Sequence, residues 1–396
     1  MLMNYWYAVE HASKITPGKP HAIKALGEDL VIWRKQNGDI VAQSDLCVHR
    51  GALLSGGELI DDCLVCPYHG WEFDDQGKCQ KIPANLDGVR IPRKAQIDTY
   101  PAEEKYGFIW VFLGDLTEDE RPPLPALPLD DAKEARLEGY KATESEWHWE
   151  ANYERVIENA IDIAHAPFVH RNTFGNPEKP QVEEYSVDND GQSAFAVVEL
   201  DPPPARGLWG RIRGKDRPKV WSKTGLFFPN VTMLNIRLPM GEFKLFTAAV
   251  PINENYTISK FINVRNFFTG NWADRDSIKR TLNIFEEDAP QVLGQRPELV
   301  PFDLQAELHV KSDALQLAYR RWRQQGYDNG WGIETHRFMT HKEMKTVIPS
   351  PARRENPELK NAWVMKEAPL KPPRTNGKTP LTMDETSIIA AHGDEA

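Results

Sequence analysis

Two short segments in the first quarter of the sequence each pair a cysteine with a histidine. The spacing is Cys-x-His in the first and Cys-x-x-His in the second, and the residues are Cys47, His49, Cys66 and His69. Turn residues bound both segments, which predicts two loops that meet at a metal site. A tetrahedral zinc site takes this ligand set, and so does a two-iron, two-sulfide cluster with cysteines on one iron and histidines on the other. The unequal spacings and the glycine-rich sequence between the segments favour the cluster.

A second group of titratable residues interrupts the apolar run ENAIDIAHAPFVH, which ends at His170. Asp162 and His165 are three residues apart and would share one face of a helix. His170 would point elsewhere on a straight helix, but Pro167 disfavours helical geometry before it. A helix that ends near Ala166 could therefore bring His170 back towards His165. Two imidazoles that meet in this way could bind one metal ion; the alternative is a pair of core histidines hydrogen-bonded to the backbone.

Histidine spacing alone is weak evidence for a metal site. His336 and His341 are also five residues apart, but Ile333 occupies the position that corresponds to Asp162. We interpret these two histidines as surface or structural residues.

Cys63 and Cys66 form a C-x-x-C pattern, which is also typical of redox dithiols. The surrounding sequence DDCLVCP predicts a strand that runs into a proline turn, rather than the helix N-terminus that lowers a thiol pKa. Cys63 and Cys79 are therefore interpreted as ordinary thiols.

The two patterns together resemble those of the Rieske non-haem iron oxygenases. The segment from Cys47 to Trp71 is similar to the Rieske cluster motif, and ENAIDIAHAPFVH resembles the iron motif N-x-x-D-x-x-H-x-x-x-x-H. The residues of the second motif and the chain length are most similar to the branch of vanillate and dicamba O-demethylases and chlorophyll-pathway oxygenases. The resemblance implies the following roles: cluster ligands Cys47, His49, Cys66 and His69; iron ligands His165 and His170; bridging residue Asp162; motif asparagine Asn159.

The family has a third iron ligand, a carboxylate far downstream. The segment NIFEEDAPQVLGQ resembles the family's acidic segment, and we assign the ligand to Asp288, with Glu287 as the alternative. A solvent-facing helix surface is the other interpretation of this acidic run. Two histidines and one carboxylate on one face of Fe(II) leave sites open for oxygen.

The resemblance also implies how electrons reach the iron. Oxygen activation needs two electrons, one from the iron and one from the cluster. Asp162 would accept a hydrogen bond from His165 and contact a cluster histidine of a neighbouring subunit. Electrons would then cross between chains in a head-to-tail ring, typically a homotrimer.

Composition sets the class of protein. The chain has 396 residues, 40% hydrophobic and 27% charged, which is ordinary for a globular protein of two or three domains. A net charge of −10 argues against nucleic acid as a partner. No long apolar run or signal-peptide pattern is present, and four cysteines are too few for a disulfide scaffold. We expect a cytoplasmic protein without a transmembrane segment.

The expected elements place both motifs. A hairpin is predicted from Leu30 to Asp45 and a strand from Tyr106 to Gly114. Further predictions are a helix from Trp147 to Val169, strands from Gly225 to Phe268 and helical structure from Trp272 to Trp322 with Asp274 as N-cap. The proline-rich run from Arg121 to Asp130 predicts a boundary between a Rieske domain (1–120) and a catalytic iron domain (121–342). Residues 343–396 are predicted to be a C-terminal extension that wraps the surface or is poorly ordered.

These inferences predict an α+β oxygenase subunit: an all-β Rieske domain, then a helix-grip-like antiparallel sheet covered by helices. It would hydroxylate or oxidatively demethylate an aromatic or polycyclic apolar substrate in a largely apolar pocket, with O2 and electrons from a ferredoxin or flavin reductase. One alternative is a cis-dihydroxylating ring dioxygenase. Others are a Rieske electron-transfer protein with a vestigial iron site and a zinc-binding interaction module.

Overall fold

The computed structural model describes residues 1–129, 137–202, 219–334, 345–361 and 366–373. His336 and His341 lie outside these described residues. Small antiparallel sheets form the N-terminal part, and one large antiparallel sheet with helices follows, which confirms the predicted α+β class. None of the described helices has both the length and the apolar character needed to span a bilayer.

Eleven strands of the described chain build three small N-terminal sheets. They are β1 (Tyr5–His11), β2 (His21–Ala25), β3 (Glu28–Arg34), β4 (Ile40–Ser44), β5 (Glu58–Ile60), β6 (Cys63–Val65), β7 (Glu72–Phe73), β8 (Cys79–Lys81), β9 (Thr99–Tyr100), β10 (Ala102–Lys105) and β11 (Phe108–Leu113). The strand orders are β1-β11-β10, β2-β3-β4-β9 and β5-β6-β7-β8. The predicted hairpin is confirmed as the β3–β4 pair, whose turn contains Gly38 at φ 94°, a conformation that favours glycine.

A seven-stranded antiparallel sheet forms the centre of the second part. Its strands are β12 (Lys141–Trp149), β13 (Val187–Asn189), β14 (Ser193–Leu200), β15 (Val220–Phe227), β16 (Val231–Leu238), β17 (Gly241–Asn253) and β18 (Tyr256–Arg265). The order is β12-β18-β17-β16-β15-β14-β13, so β12 is an edge strand although it comes first in the chain. The strands predicted between Gly225 and Phe268 are confirmed.

Helices cover one face of this sheet, and an N-terminal sheet covers the other. The helices are α1 (Tyr153–Ile161), α2 (Ala166–Val169), α3 (Asp274–Gly294), α4 (Ala314–Asp328) and α5 (Pro351–Glu355). Ile157 of α1, Phe285 of α3 and Tyr319 of α4 share a buried core with Phe261 of the sheet. On the opposite face, Trp110 and other side chains of β1 and β11 form a second core with the sheet. Because both faces are buried, the sheet is a rigid support for residues on α1 and α3.

Three predicted elements differ from the structure. Trp147 and Trp149 end β12, and helix α1 starts only after Asn152, whose side chain accepts the Glu154 N–H at 3.0 Å. The alternation of side chains before Trp149 has the period of a strand rather than that of the predicted helix. Asp274 is the first residue of α3 rather than its cap, and its carboxylate pairs with Arg265 at 2.5 Å. The helical region predicted up to Trp322 is two helices, separated by residues 295–313.

The described C-terminal residues pack against the N-terminal sheets. Two short strands, β19 (Thr346–Val347) and β20 (Lys366–Glu367), pair in parallel. Arg353 forms a buried ion pair with Asp98, with nitrogen–oxygen distances of 2.7 and 2.9 Å. Buried Glu28 accepts the Ile348 N–H at 3.1 Å. Burial, and then the nearby Asp98 carboxylate, raises the pKa of Glu28 to about 8.

Candidate metal centres

The two Cys/His loops fold alike. The Cys47 carbonyl accepts the Gly51 N–H at 2.8 Å, and the Cys66 carbonyl accepts the Gly70 N–H at 3.0 Å. Both glycines have positive φ, 69° and 68°, where any side chain would be strained. Each cysteine N–H also donates to the carbonyl five residues further along the chain. Matching turns therefore present one cysteine and one histidine from each loop.

The cysteines of these loops are buried, and the histidines lie nearer the surface. Cys47 and Cys66 are 1% and 2% exposed, whereas His49 is half-buried and His69 is exposed. The two imidazole centroids are 4.6 Å apart, and the Trp71 ring stacks on His49 at 4.5 Å. Burial raises the pKa of the Cys47 thiol to about 12, and Cys66 acts in the same direction. Burial and then His69 lower the pKa of His49, which favours the neutral imidazole that binds metals.

This arrangement fits a two-iron cluster better than a single zinc ion. A tetrahedral zinc ion needs all four donor atoms around one point. In the described part of the chain, only His165, His170 and Asp288 bring three donor atoms within 4.8 Å of one another. His49 Nδ1 is buried without a hydrogen-bond partner among the described residues, and a bound metal would satisfy it. Separate cysteine and histidine pairs therefore suit the cluster, whose two irons are bound by different ligand types.

Cys63 and Cys79 lie outside this site. Each begins a short strand, and none of the four cysteines forms a disulfide. The predicted strand before the proline turn is confirmed, since β6 starts at Cys63 and Pro67 follows in the loop. Burial raises the pKa of both thiols, that of Cys79 to about 11. A redox dithiol needs the opposite shift, so the C-x-x-C pattern has no redox environment here.

A break between α1 and α2 brings His165 and His170 together. Helix α1 ends at Ile161, and Asp162 is extended with φ −76° and ψ 124°. The predicted helix end near Ala166 is wrong, and so is the shared helical face of Asp162 and His165. Pro167 lies in the first turn of α2, where its fixed φ suits a helix start and its missing N–H costs nothing. His170 then follows α2 directly.

Three donor atoms from α3 and the α1–α2 region converge on one point. His165 Nε2 and His170 Nε2 are 3.2 Å apart, and they lie 3.5 and 3.2 Å from Asp288 Oδ1. Ligands at about 2.1 Å from one metal ion and at right angles to each other would be about 3 Å apart. The side chains of His170 and Asp288 are only 2% and 6% exposed. Two imidazoles and one carboxylate in this geometry form a facial site for a divalent metal such as iron.

Glu287 contacts the opposite side of His170 from Asp288. Its Oε2 atom is 2.8 Å from His170 Nδ1, and its Oε1 atom accepts the Thr173 hydroxyl at 2.6 Å. A carboxylate on the second ring nitrogen orients a metal-binding histidine. Although burial opposes it, the two carboxylates together raise the pKa of His170. A site with this excess of negative charge attracts a cation.

Sequence reasoning missed three residues around His170. The Phe174 ring stacks on the His170 ring at 4.6 Å, and Thr173 positions Glu287. Gly175 lets the chain pass close to α2, because a Cβ atom there would lie 2.2 Å from the Ala166 carbonyl oxygen. Proximity to His170 in the sequence was the available signal for all three.

Asn159 and Asp162 lie at the edge of the three-residue site. Asn159 Nδ2 donates to Asp288 Oδ1 at 3.4 Å. Asp162 Oδ2 is 3.7 Å from His165 Nδ1, which is longer than a hydrogen bond, and Asp162 Oδ1 accepts the Ala164 N–H at 2.8 Å. The predicted hydrogen bond from His165 to Asp162 is thus not formed in this structure. Both residues line a polar cavity of about 300 Å³ with charged neighbours such as Arg320.

Two family profiles match the chain. Residues 5–101 match the Rieske [2Fe-2S] domain, and residues 149–329 match the Vanillate O-demethylase oxygenase C-terminal domain. The first range contains all four Cys/His residues of the loops. The second contains Asn159, Asp162, His165, His170 and Asp288.

Individual proteins are similar over most of the chain. Methylxanthine N3-demethylase NdmB of Pseudomonas putida is 30% identical over 341 residues, which cover 82% of this chain and 89% of that protein. Chloroplastic chlorophyllide a oxygenase of Chlamydomonas reinhardtii is 35% identical over 335 residues, 81% of this chain and 48% of that protein. The solved structure of NdmA from Pseudomonas putida CBB5 has a TM-score of 0.66 at 26% identity, and the match covers 82% of this chain and 91% of that one.

Proposed function

The chain belongs to the Rieske non-haem iron oxygenases, and on this basis we propose that it hydroxylates or oxidatively demethylates a small aromatic substrate. It is an oxidoreductase of the monooxygenase type, with a Rieske [2Fe-2S] cluster and a mononuclear iron as cofactors. The convergence of His165, His170 and Asp288 on one point supports an active centre most directly. A vestigial iron site in an electron-transfer protein would not be expected to retain three converging metal-ligand atoms.

Each predicted site residue has a role in this proposal. Cys47 and Cys66 bind one iron of the cluster, and His49 and His69 bind the other. The mononuclear Fe(II) is held by His165, His170 and Asp288, and when bound it supplies an open face at which O2 is activated. Glu287 holds the His170 ring in position, and Asn159 does the same for the Asp288 carboxylate.

The overall reaction of an oxidative demethylation balances with two electrons and two protons. One oxygen atom of O2 enters a methyl C–H bond, and the other leaves as water. The resulting hydroxymethyl group loses formaldehyde and leaves an O–H or N–H on the substrate. The match to the vanillate O-demethylase domain and to a demethylase favours this outcome over cis-dihydroxylation, which would keep both oxygen atoms in the product.

The cluster and the iron are proposed to meet across a subunit boundary in a homotrimer. His69 is exposed and His49 is half-buried, and the Asp162 side chain is 30% exposed. A cluster histidine of a neighbouring chain could therefore donate to Asp162 Oδ2, which accepts no hydrogen bond from the described residues. The electron donor in this proposal is a ferredoxin or a flavin reductase, and the location is cytoplasmic.

A single-turnover experiment tests this function. Protein with a reduced cluster is mixed with ¹⁸O2 and a panel of methoxy- and N-methyl-aromatic compounds. We expect formaldehyde release, with one labelled oxygen atom in water, and faster reoxidation of the cluster than in His165→Ala. A product that holds two labelled hydroxyl groups would indicate a dioxygenase. Equal reoxidation of wild type and His165→Ala, without product, would indicate an electron-transfer protein.

A further inference from the structure

Two tryptophans on the inner face of β12 differ in one hydrogen bond. Trp147 and Trp149 are two residues apart on this edge strand, so both side chains face α3. The Trp149 indole N–H donates to the Ser259 hydroxyl at 2.9 Å. The Trp147 Nε1 atom is also buried, but it has no acceptor among the described residues. A buried N–H group without an acceptor is unfavourable, so this donor calls for a partner from outside the protein.

The unpaired indole lies next to the iron-binding helix. Trp147 and Trp149 pack against the same ring, that of Phe285, with centroid distances of 6.5 and 5.7 Å. Phe285 precedes Asp288 by three residues on α3, which places the two on neighbouring turns of one helix face. Trp147 therefore packs against a residue that lies about one helical turn from Asp288.

The inner face of β12 is only partly covered, and it carries polar groups. Thr143, Ser145 and Trp147 face the helices yet are only half-buried, because β12 is the edge strand. The Thr143 hydroxyl is a second buried group without a partner among the described residues. Asn263 lies opposite Thr143 on β18, and its side-chain oxygen already accepts the Thr281 hydroxyl at 3.1 Å.

We propose that the Trp147 indole N–H donates a hydrogen bond to the substrate during binding. An indole N–H can only donate, so the substrate must carry an acceptor, such as a ring carbonyl or a ring nitrogen. The inference rests on the proposed oxygenase function and narrows its substrate class. Aromatic compounds with an acceptor on the ring are selected over plain hydrocarbons of the same shape.

Two matched bicyclic probes test the proposal. 7-Methoxycoumarin carries a ring carbonyl, and 2-methoxynaphthalene has a similar shape without it. Their dissociation constants are measured by equilibrium dialysis against anaerobic, metal-loaded wild type, Trp147→Phe and Trp149→Phe. We expect wild type to prefer the coumarin, Trp147→Phe to raise its Kd about 3- to 10-fold with little change for the naphthalene, and Trp149→Phe to keep the preference. Wild type without a preference, or equal changes for both probes, would overturn the proposal.

Unfolding and metal analysis distinguish a lost hydrogen bond to the substrate from a loss of folding or of metal. Both variants lose the same ring volume, but only Trp149→Phe breaks a hydrogen bond within the protein. Trp149→Phe should therefore have the lower Tm, and a similar loss in Trp147→Phe would mean that its N–H has a protein partner. Iron and sulfide content should equal wild type in all variants; if wild type lacks the metals, the oxygenase function fails rather than this inference.

Discussion

At the scale of single residues, the site depends on two neighbouring carboxylates that face different atoms of His170. Asp288 Oδ1 lies 3.2 Å from Nε2, and Glu287 Oε2 lies 2.8 Å from Nδ1. The sequence identified the acidic segment but could not distinguish Asp288 from Glu287 by its pattern. The distinction depends on the rotation of α3 about its axis, which is set by packing of Phe285 and Val292 into the core.

Substitution of each carboxylate should affect iron differently. Asp288→Ala removes a proposed ligand, so we expect loss of the mononuclear iron with an unchanged Rieske spectrum. Glu287→Gln keeps an acceptor for His170 but loses the charge, and should weaken iron binding about 10- to 100-fold. Iron titration of the apo site, with the cluster spectrum as internal control, measures both. If Glu287→Gln lost all iron and Asp288→Ala kept it, the two roles would be reversed.

At the scale of elements, the chain break after α1 and the C-terminal segment were the hardest features to predict. Pro167 predicts the end of a helix by its sequence position, but it starts α2, since proline is compatible with both positions. The C-terminal segment is expected from its composition to wrap the surface or to be poorly ordered. Residues 374–396 lie outside the described residues, and in the described part Val347 and Ile348 are fully buried and Arg353 is 2% exposed beside Asp98. These are contacts of more than 200 residues in sequence separation, which local patterns do not encode.

Glu28 should make stability depend on pH where the C-terminal segment docks. Its pKa in the folded state, about 8, lies above its ordinary value of 4.5. The folded protein therefore keeps a proton that the unfolded chain releases, so the free energy of unfolding falls as pH rises from about 4.5 to about 8. Glu28→Gln should remove this loss and add up to about 4 kcal/mol at a pH near 8, relative to wild type.

Urea unfolding midpoints at about pH 5.5 and about pH 8.5, on either side of most of this transition, measure the effect. Glu58→Gln is a suitable control, because Glu58 is exposed on β5 and its substitution should leave the pH dependence unchanged. A wild-type protein as stable at the higher pH as at the lower, with no gain in Glu28→Gln, would contradict the expected behaviour of Glu28.

At the scale of the whole molecule, the two proposed metal sites come from different parts of the chain. The α+β class and the order of the two parts followed from the motifs and the strand patterns. The packing of β1 and β11 on the back of the large sheet could not be predicted. The sequence of a sheet that is buried on both faces does not indicate which element covers each face. The ring assembly is likewise a proposal that needs a functional test.

Co-expression of two inactive chains tests electron transfer between subunits. Cys66→Ser should lack the cluster, and His165→Ala should lack the mononuclear iron. If the two variants are made in equal amounts and mix at random, about three quarters of the head-to-tail trimers contain both. In each mixed trimer, one of the three subunit junctions joins an intact cluster to an intact iron site. We therefore expect about a quarter of the wild-type turnover from the mixture and none from either variant alone. No activity in mixed assemblies that contain both metal sites would show that electrons do not cross between chains.

Iron and acid-labile sulfide analysis of anaerobically purified protein, together with its visible spectrum, tests the central claim most directly. The claim is that one chain holds two different iron centres. It predicts about three irons and two sulfides per chain, with the reddish spectrum of a Rieske cluster. About two irons and two sulfides, with no uptake of added Fe(II), would contradict the mononuclear site. Colourless protein that contains zinc would contradict both centres.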